Sequence, residues 1–165
     1  MFAQLTHYIA TYGYFAVFCI VVLLELGMPG LPNELVLFYF GYISHKAGLF
    51  FPAVIITGIV ADITGSFLLY LLFYYGRGRL VHLKPGWLRP PAKKIDSLTQ
   101  KLLSHKGRNL FVAKMTPFIR GYVAVVAGLL HIPPSLYTRL IVITAIAWTG
   151  GWLAAGWLWQ TWQNG

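Results

Sequence analysis

The chain has 165 residues, of which 58% are hydrophobic and only 10% are charged. Soluble globular domains carry about 25% charged residues, and so few charges could not cover the surface of a soluble domain of this length. The net charge of +9 does not indicate nucleic-acid binding, because ten of the thirteen Lys and Arg residues lie between Arg77 and Lys114. The composition therefore predicts an all-α integral membrane protein, with a single domain over residues 1–165.

The first apolar segment, Leu5 to Leu24, is long enough for a membrane helix of about 30 Å. It runs into Glu25 and then into residues that break helices: Gly27, Pro29, Gly30 and Pro32. The apolar pattern resumes over residues 35–44, which is too short to span a bilayer. We therefore expect a re-entrant helical hairpin over about 15–46, since irregular backbone at membrane depth must be buried in protein or line a wet cavity.

The next segment predicts a spanning helix over about 51–75, with Asp62 near its middle. The basic loop that follows, residues 76–108, holds most of the positive charge and is predicted to be cytoplasmic. Within it, residues 92–105 place apolar side chains on one helical face and lysines on the other. This pattern predicts an amphipathic helix that lies against anionic lipid.

A second interrupted apolar segment over about 109–130 contains Lys114, Pro117 and Arg120, and it predicts a second re-entrant hairpin. A last spanning helix is expected over about 135–160. The two halves thus repeat one plan, a broken hairpin followed by a spanning helix, as in inverted-repeat transporters. Paired broken segments of this kind indicate where a transporter binds its substrate.

Five ionisable residues lie within the apolar segments: Glu25, Glu34, Asp62, Lys114 and Arg120. Each costs about 2.5–3.5 kcal/mol or more at mid-membrane, so we expect the two glutamates to face the two basic residues where the hairpin tips meet. Fixed salt bridges are the structural alternative, although buried ion pairs are weak sources of stability. Free helix ends and an arginine fork attract phosphate, and the carboxylates Glu25, Glu34 and Asp62 are candidates for carrying a proton.

The spacing of these residues resembles the DedA family of the VTT-domain superfamily. The first hairpin has an acidic residue, a proline seven later and a second acidic residue nine later: Glu25, Pro32 and Glu34. The second hairpin resembles the family's R-F-x-P-x-x-R pattern and its downstream Ala-Gly pair, at Lys114, Pro117, Arg120, Ala127 and Gly128. Lysine stands where the family usually has its first arginine.

The resemblance implies a lipid flippase of the bacterial cytoplasmic (inner) membrane, a multi-pass protein that moves undecaprenyl phosphate or a phospholipid such as phosphatidylethanolamine. We assign Arg120 and Lys114 to the lipid phosphate, and the resemblance implies the coupling to proton motive force that is associated with some members of the family. Its partners would be membrane lipids and protons, with no cofactor and no catalytic residue. The lipid, the direction of transport, the side of the N-terminus and the oligomeric state, a homo-oligomer included, stay open.

Two other functions compete with transport. An integral-membrane lipid phosphatase could hold its substrate with Lys114 and Arg120, but the sequence has no acid-phosphatase-type signature of nucleophile and base. A structural assembly factor is the second alternative, and the intramembrane charges argue against it. The five histidines show no ligand spacing, so no metal site is predicted.

Overall fold

The computed structural model describes residues 2–26, 32–76, 106–117 and 119–164, with side chains for 12–26, 32–76, 108–117 and 119–163. Three residues predicted to break the first hairpin, Gly27, Pro29 and Gly30, lie outside the described residues. So do the predicted amphipathic helix over 92–105 and most of the basic loop 76–108.

Six α-helices make up the regular structure of the described ranges, and no strand occurs in them. In chain order they are α1 (Phe2–Glu25), α2 (Asn33–Lys46), α3 (Phe51–Gly76), α4 (Lys106–Lys114), α5 (Arg120–Leu129) and α6 (Pro134–Asn164). The fold is therefore all-helical, as the composition predicts.

Two of these helices, over Phe51–Gly76 and Pro134–Gln163, are long and apolar enough to cross a membrane. They lie where the sequence predicts spanning helices, at about 51–75 and 135–160. The first helix begins at Phe2, well before the start expected for the first hairpin at about 15. The fourth helix begins at Lys106, inside the expected loop. This start was not predicted, because the polar first turn of the helix gives no hydropathy signal.

The helices end and begin at the predicted breaks. Helix α1 ends at Glu25, and α2 begins after Pro32, whose extended backbone (φ −59°, ψ 123°) turns the chain into the helix. Helix α4 ends at Lys114, and a turn that contains Pro117 leads to Arg120, the first residue of α5. Proline has no N–H for the helical ladder, so it favours these interruptions.

Glycines allow α2 and α6 to pack with their backbones almost touching. A Cβ added at Gly41 would lie 2.0 Å from Leu153 O, and one at Gly156 would lie 2.0 Å from Phe38 O. Small residues permit such close approach between membrane helices, where packing rather than water drives association.

Two apolar cores lie at different levels along α3. One contains Val54 and Ala61 of α3 together with residues of α1, α2 and α6. The other contains Leu69, Tyr70 and Phe73 of α3 together with residues of α5 and α6. The buried polar residues Asp62 and Ser66 stand between them, near the middle of a membrane-length helix. This polar layer is where the two helix breaks meet.

Candidate functional site

Four buried ionisable residues from four helices form one cluster in this layer. They are Glu25 of α1, Asp62 of α3, Lys114 of α4 and Arg120 of α5. Every member is at most 4% exposed, and two carboxylates against two cations make the cluster neutral as a whole. Neutrality matters because an unpaired charge in such a setting costs several kcal/mol.

Lys114 lies on one side of the cluster. Its Nζ is 3.1 Å from Glu25 Oε2 and 4.0 Å from Asp62 Oδ1. It also donates to Ser66 Oγ at 2.6 Å, and Ser66 Oγ in turn donates to Glu25 Oε2 at 2.7 Å. Two hydrogen bonds and a second nearby carboxylate therefore hold the ammonium, which fixes Lys114 in place.

Arg120 lies on the other side of the cluster, and only one of its three guanidinium nitrogens has a partner there. Its Nη2 is 2.8 Å from Glu25 Oε1 and 2.7 Å from Asp62 Oδ2. Its Nε and Nη1 are buried and have no hydrogen-bond partner among the residues that the structure describes. The guanidinium also lies over the Trp148 ring, with Cζ 5.3 Å from the ring centroid. One nitrogen therefore anchors the side chain, while the other two keep donors for an acceptor.

Neutral side chains hold the two carboxylates from the outside. Asn33 Nδ2 donates to Glu25 Oε1 at 2.8 Å, and Thr149 Oγ1 of α6 donates to Asp62 Oδ2. Hydrogen bonds to an ionised group are worth more than neutral ones. These contacts fix where each carboxylate presents its oxygens to Lys114 and Arg120.

The cluster is built from the ends of helices. Glu25 is the last residue of α1 and Asn33 the first of α2, while Lys114 is the last of α4 and Arg120 the first of α5. The ion pairs from Glu25 to Lys114 and Arg120 bring the two breaks together. Each break therefore contributes the two residues that flank it, and Asp62 of the unbroken α3 completes the site.

The structure does not place Glu34 where we expected it. Glu34 is half-buried in the first turn of α2 and makes no ion pair within the described parts of the chain. Asp62 occupies the expected position against Arg120 instead. The N-terminal end of a helix favours a carboxylate without a cationic partner, so Glu34 can be accommodated there. Of the predicted break residues, Pro32 is half-buried and Pro117 is exposed.

Three polar side chains of the site were not predicted from the sequence: Asn33, Ser66 and Thr149. For Ser66, the signal is its position four residues after Asp62, which puts both on one face of α3. Asn33 lies between Pro32 and Glu34, inside the recognised motif. No local pattern identifies Thr149.

The arrangement suits an anion and does not suit a metal. A buried N–H without an acceptor costs about 1–3 kcal/mol, and Arg120 holds two nitrogens in this state within one planar group. Two unpaired donor nitrogens on one cation suit an anion that has several acceptor oxygens, such as a phosphate or carboxylate. Within the described residues, no group of three His, Cys, Asp or Glu side chains could hold a metal ion.

Comparison with known proteins gives a family match and several distant relatives. The sequence profile of the VTT domain matches residues 31–158. Undecaprenyl phosphate transporter A of Staphylococcus aureus (strain NCTC 8325 / PS 47) is 24% identical over 156 residues, covering 92% of this chain and 76% of the relative. The protein of the same name from Bacillus subtilis (strain 168) is 24% identical over 119 residues, covering 72% and 60% of the two chains.

A third relative, the uncharacterized membrane protein YbfM of Bacillus subtilis (strain 168), is 22% identical over 140 residues. This alignment covers 85% of the chain and 86% of the relative. No solved structure matches the chain.

Proposed function

Because this chain belongs to the VTT-domain family, we propose that it is a membrane transporter that moves a phosphate-bearing lipid between the leaflets of the bacterial cytoplasmic membrane. The names of two relatives point to undecaprenyl phosphate as one substrate. A phospholipid such as phosphatidylethanolamine is the other substrate that we consider. The membrane setting rests on the family and on the two membrane-length apolar helices.

One observation at the site supports this proposal above the others. Arg120 is 4% exposed, yet its Nε and Nη1 have no acceptor in the described structure. A side chain whose task were only to pair with Glu25 and Asp62 would use more of its fork for them. We assign the two remaining donors to oxygens of the lipid phosphate, with the Trp148 ring backing the guanidinium.

We further propose that the two broken segments are re-entrant hairpins, so that the site at their tips lies near the middle of the membrane. Helices α1 and α2 would form one hairpin and α4 and α5 the other, each followed by a spanning helix. An arriving phosphate would then share Arg120 with Glu25 and Asp62, which hold Nη2. Protonation of a carboxylate would weaken its hold on Arg120, which is how a proton could assist binding or release.

The geometry gives less support to a lipid phosphatase. Ser66 carries the hydroxyl that Lys114 contacts, and Lys114 donates to it at 2.6 Å. A serine nucleophile needs a base that takes its proton. Ser66 donates to Glu25, but Glu25 is already ion-paired with both Lys114 and Arg120 and is therefore not available as that base. Phosphate release by the purified protein would nevertheless reinstate the enzymatic alternative.

The direct test is a leaflet-resolved flipping assay in proteoliposomes with undecaprenyl phosphate and with phosphatidylethanolamine. We expect Arg120→Ala to abolish transport and Arg120→Lys to restore only part of it, because an ammonium lacks the planar fork of the guanidinium. Arg139→Ala is the control, since Arg139 is exposed on α6. Full activity of Arg120→Lys would show that bidentate phosphate recognition is the wrong explanation.

A further inference from the structure

Asn33 carries a buried acceptor that the protein does not use. Its Nδ2 lies 2.8 Å from Glu25 Oε1, and because a carboxylate oxygen only accepts hydrogen bonds, the amide nitrogen must face Glu25. The amide orientation is thereby fixed, and Oδ1 is the atom that remains. Asn33 Oδ1 is buried without a hydrogen-bond partner in the described residues.

The side chain that carries this acceptor shares a contact atom with Arg120. Glu25 Oε1 receives Asn33 Nδ2 and also lies 2.8 Å from Arg120 Nη2, so the two side chains flank a single oxygen atom. The free atoms have opposite character, because Arg120 offers two donors and Asn33 offers one acceptor. A ligand that satisfies both must present acceptor oxygens to Arg120 and a hydrogen-bond donor to Asn33.

The charges around the site limit the charge of that ligand. Among the described residues, the charged groups in or near the site are Glu25 from α1, Glu34 from the first turn of α2, Asp62 from α3, Lys114 from α4 and Arg120 from α5. The four buried ones balance, and Glu34 adds a negative charge nearby. Helix α6 contributes the uncharged Trp148 and Thr149. A doubly charged phosphate would add two uncompensated charges here, whereas a singly charged one adds the fewest.

We infer that Asn33 selects the substrate, and that the selected group is a phosphate with one negative charge and one O–H or N–H donor beside it. This inference rests on the transporter function proposed above. Two lipid classes carry the chemistry: a phosphate monoester that keeps one of its protons, and a phosphodiester with a primary ammonium head. A phosphodiester with a quaternary ammonium head has no donor and is rejected.

The test compares flipping rates of three probes in proteoliposomes: a polyprenyl phosphate, phosphatidylethanolamine and phosphatidylcholine. For the wild type we expect at least one of the first two to move about tenfold or more faster than phosphatidylcholine, because a donor-free head leaves Asn33 Oδ1 unsatisfied. Asn33→Leu removes the amide at similar volume and should bring this ratio close to one. A wild-type ratio close to one would overturn the inference even if Asn33→Leu fails to fold.

A second measurement distinguishes the two sources of the donor. The monoester loses its O–H as the pH rises through the second pKa of the phosphate, about 6. The ammonium head stays protonated well above that pH. Titration of a protein group would change both rates alike, so we expect the ratio of the monoester rate to the phosphatidylethanolamine rate to fall between pH 5.5 and 8.5. A ratio that stays constant over this range would refute the donor on the phosphate.

The outcomes separate this inference from the proposed function. If the wild type moves all three lipids at equal rates, it is a phospholipid transporter without donor selection, and the inference fails alone. The same holds if Asn33→Leu folds and keeps the wild-type ratio. If no lipid moves with the wild type, the transporter function fails and the inference fails with it.

Discussion

Thr149 donates its hydroxyl hydrogen to Asp62 Oδ2, the same oxygen that lies 2.7 Å from Arg120 Nη2. A residue of the last helix thus fixes the carboxylate that positions the arginine. This contact also ties α6 to α3 in the polar layer between the two apolar cores.

We expect Thr149→Val to lower the free energy of unfolding by about 1.5–3 kcal/mol, the worth of a hydrogen bond to a charged group. Transport should fall as well, because Asp62 is then free to turn away from Arg120. Thr149→Ser keeps the hydroxyl and should stay close to wild type. Thermal unfolding in detergent and the flipping assay measure the two effects.

Thr144→Val is the matched control for that prediction. Thr144 is equally buried on the same helix, but its hydroxyl donates to the carbonyl oxygens of Leu140 and Ile141 within α6. Its loss should change little. A comparable effect of both substitutions would mean that the Thr149–Asp62 bond has no special role.

Thr144 and Thr149 also show why the full site could not be predicted from the sequence. A threonine in an apolar helix usually satisfies its hydroxyl on its own backbone, as Thr144 does, so Thr149 carries no distinguishing local signal. The charged members could be found, because a charge in an apolar segment is costly wherever it points. Which carboxylates pair with the two cations could not be predicted, since the sequence does not distinguish Glu34 from Asp62. The packing of α3 against α1, α5 and α6 decides between them.

Lys114 and Glu25 provide a test of whether the cluster is held by charge balance. Lys114→Met leaves two carboxylates against Arg120, and we expect it to cost about 3–5 kcal/mol of stability, as breaking one buried pair does. The double variant Lys114→Met with Glu25→Gln restores a neutral cluster of Asp62 and Arg120. It should recover a clear part of that loss.

Chemical denaturation of the wild type, both single variants and the double variant gives the coupling energy between the two sites. The double variant should be more stable than the two single losses predict when added together. Simple additivity would show that Lys114 and Glu25 act independently, contrary to their 3.1 Å contact.

Gly156 tests the close packing of α2 against α6. An added Cβ would lie 2.0 Å from Phe38 O and 2.9 Å from Tyr42 N, both backbone atoms. Gly156→Ala must therefore push the two helices apart, and we expect a loss of about 1–3 kcal/mol or more. Gly151→Ala is the control on the same helix, because a Cβ at Gly151 meets nothing within 4 Å.

Both glycine variants are compared by thermal unfolding in detergent. Gly151→Ala should be neutral or slightly stabilising, since alanine loses less backbone entropy in a helix than glycine. An unchanged melting temperature for Gly156→Ala would mean that α2 and α6 are not in backbone contact in the membrane.

The direction of α3 and α6 leads to a prediction about membrane topology. Thr149 contacts Asp62, whereas Tyr137 stacks on Tyr70 with ring centroids 4.3 Å apart, so α6 runs antiparallel to α3. The start of α6 therefore lies at the same level as the end of α3, where the basic loop begins. If that loop is cytoplasmic, the start of α6 is cytoplasmic and its end faces the other side of the membrane.

Single cysteines placed in a Cys19→Ala background test this topology, because Cys19 is the one cysteine of the chain. We expect an impermeant thiol reagent added to intact cells to leave Ser97→Cys and Ser135→Cys unmodified until the membrane is opened. Gln163→Cys, at the exposed end of α6, should react from outside at once. Ready labelling of Ser97→Cys in intact cells would contradict the cytoplasmic loop, and labelling of Ser135→Cys and Gln163→Cys from the same side would contradict a spanning α6.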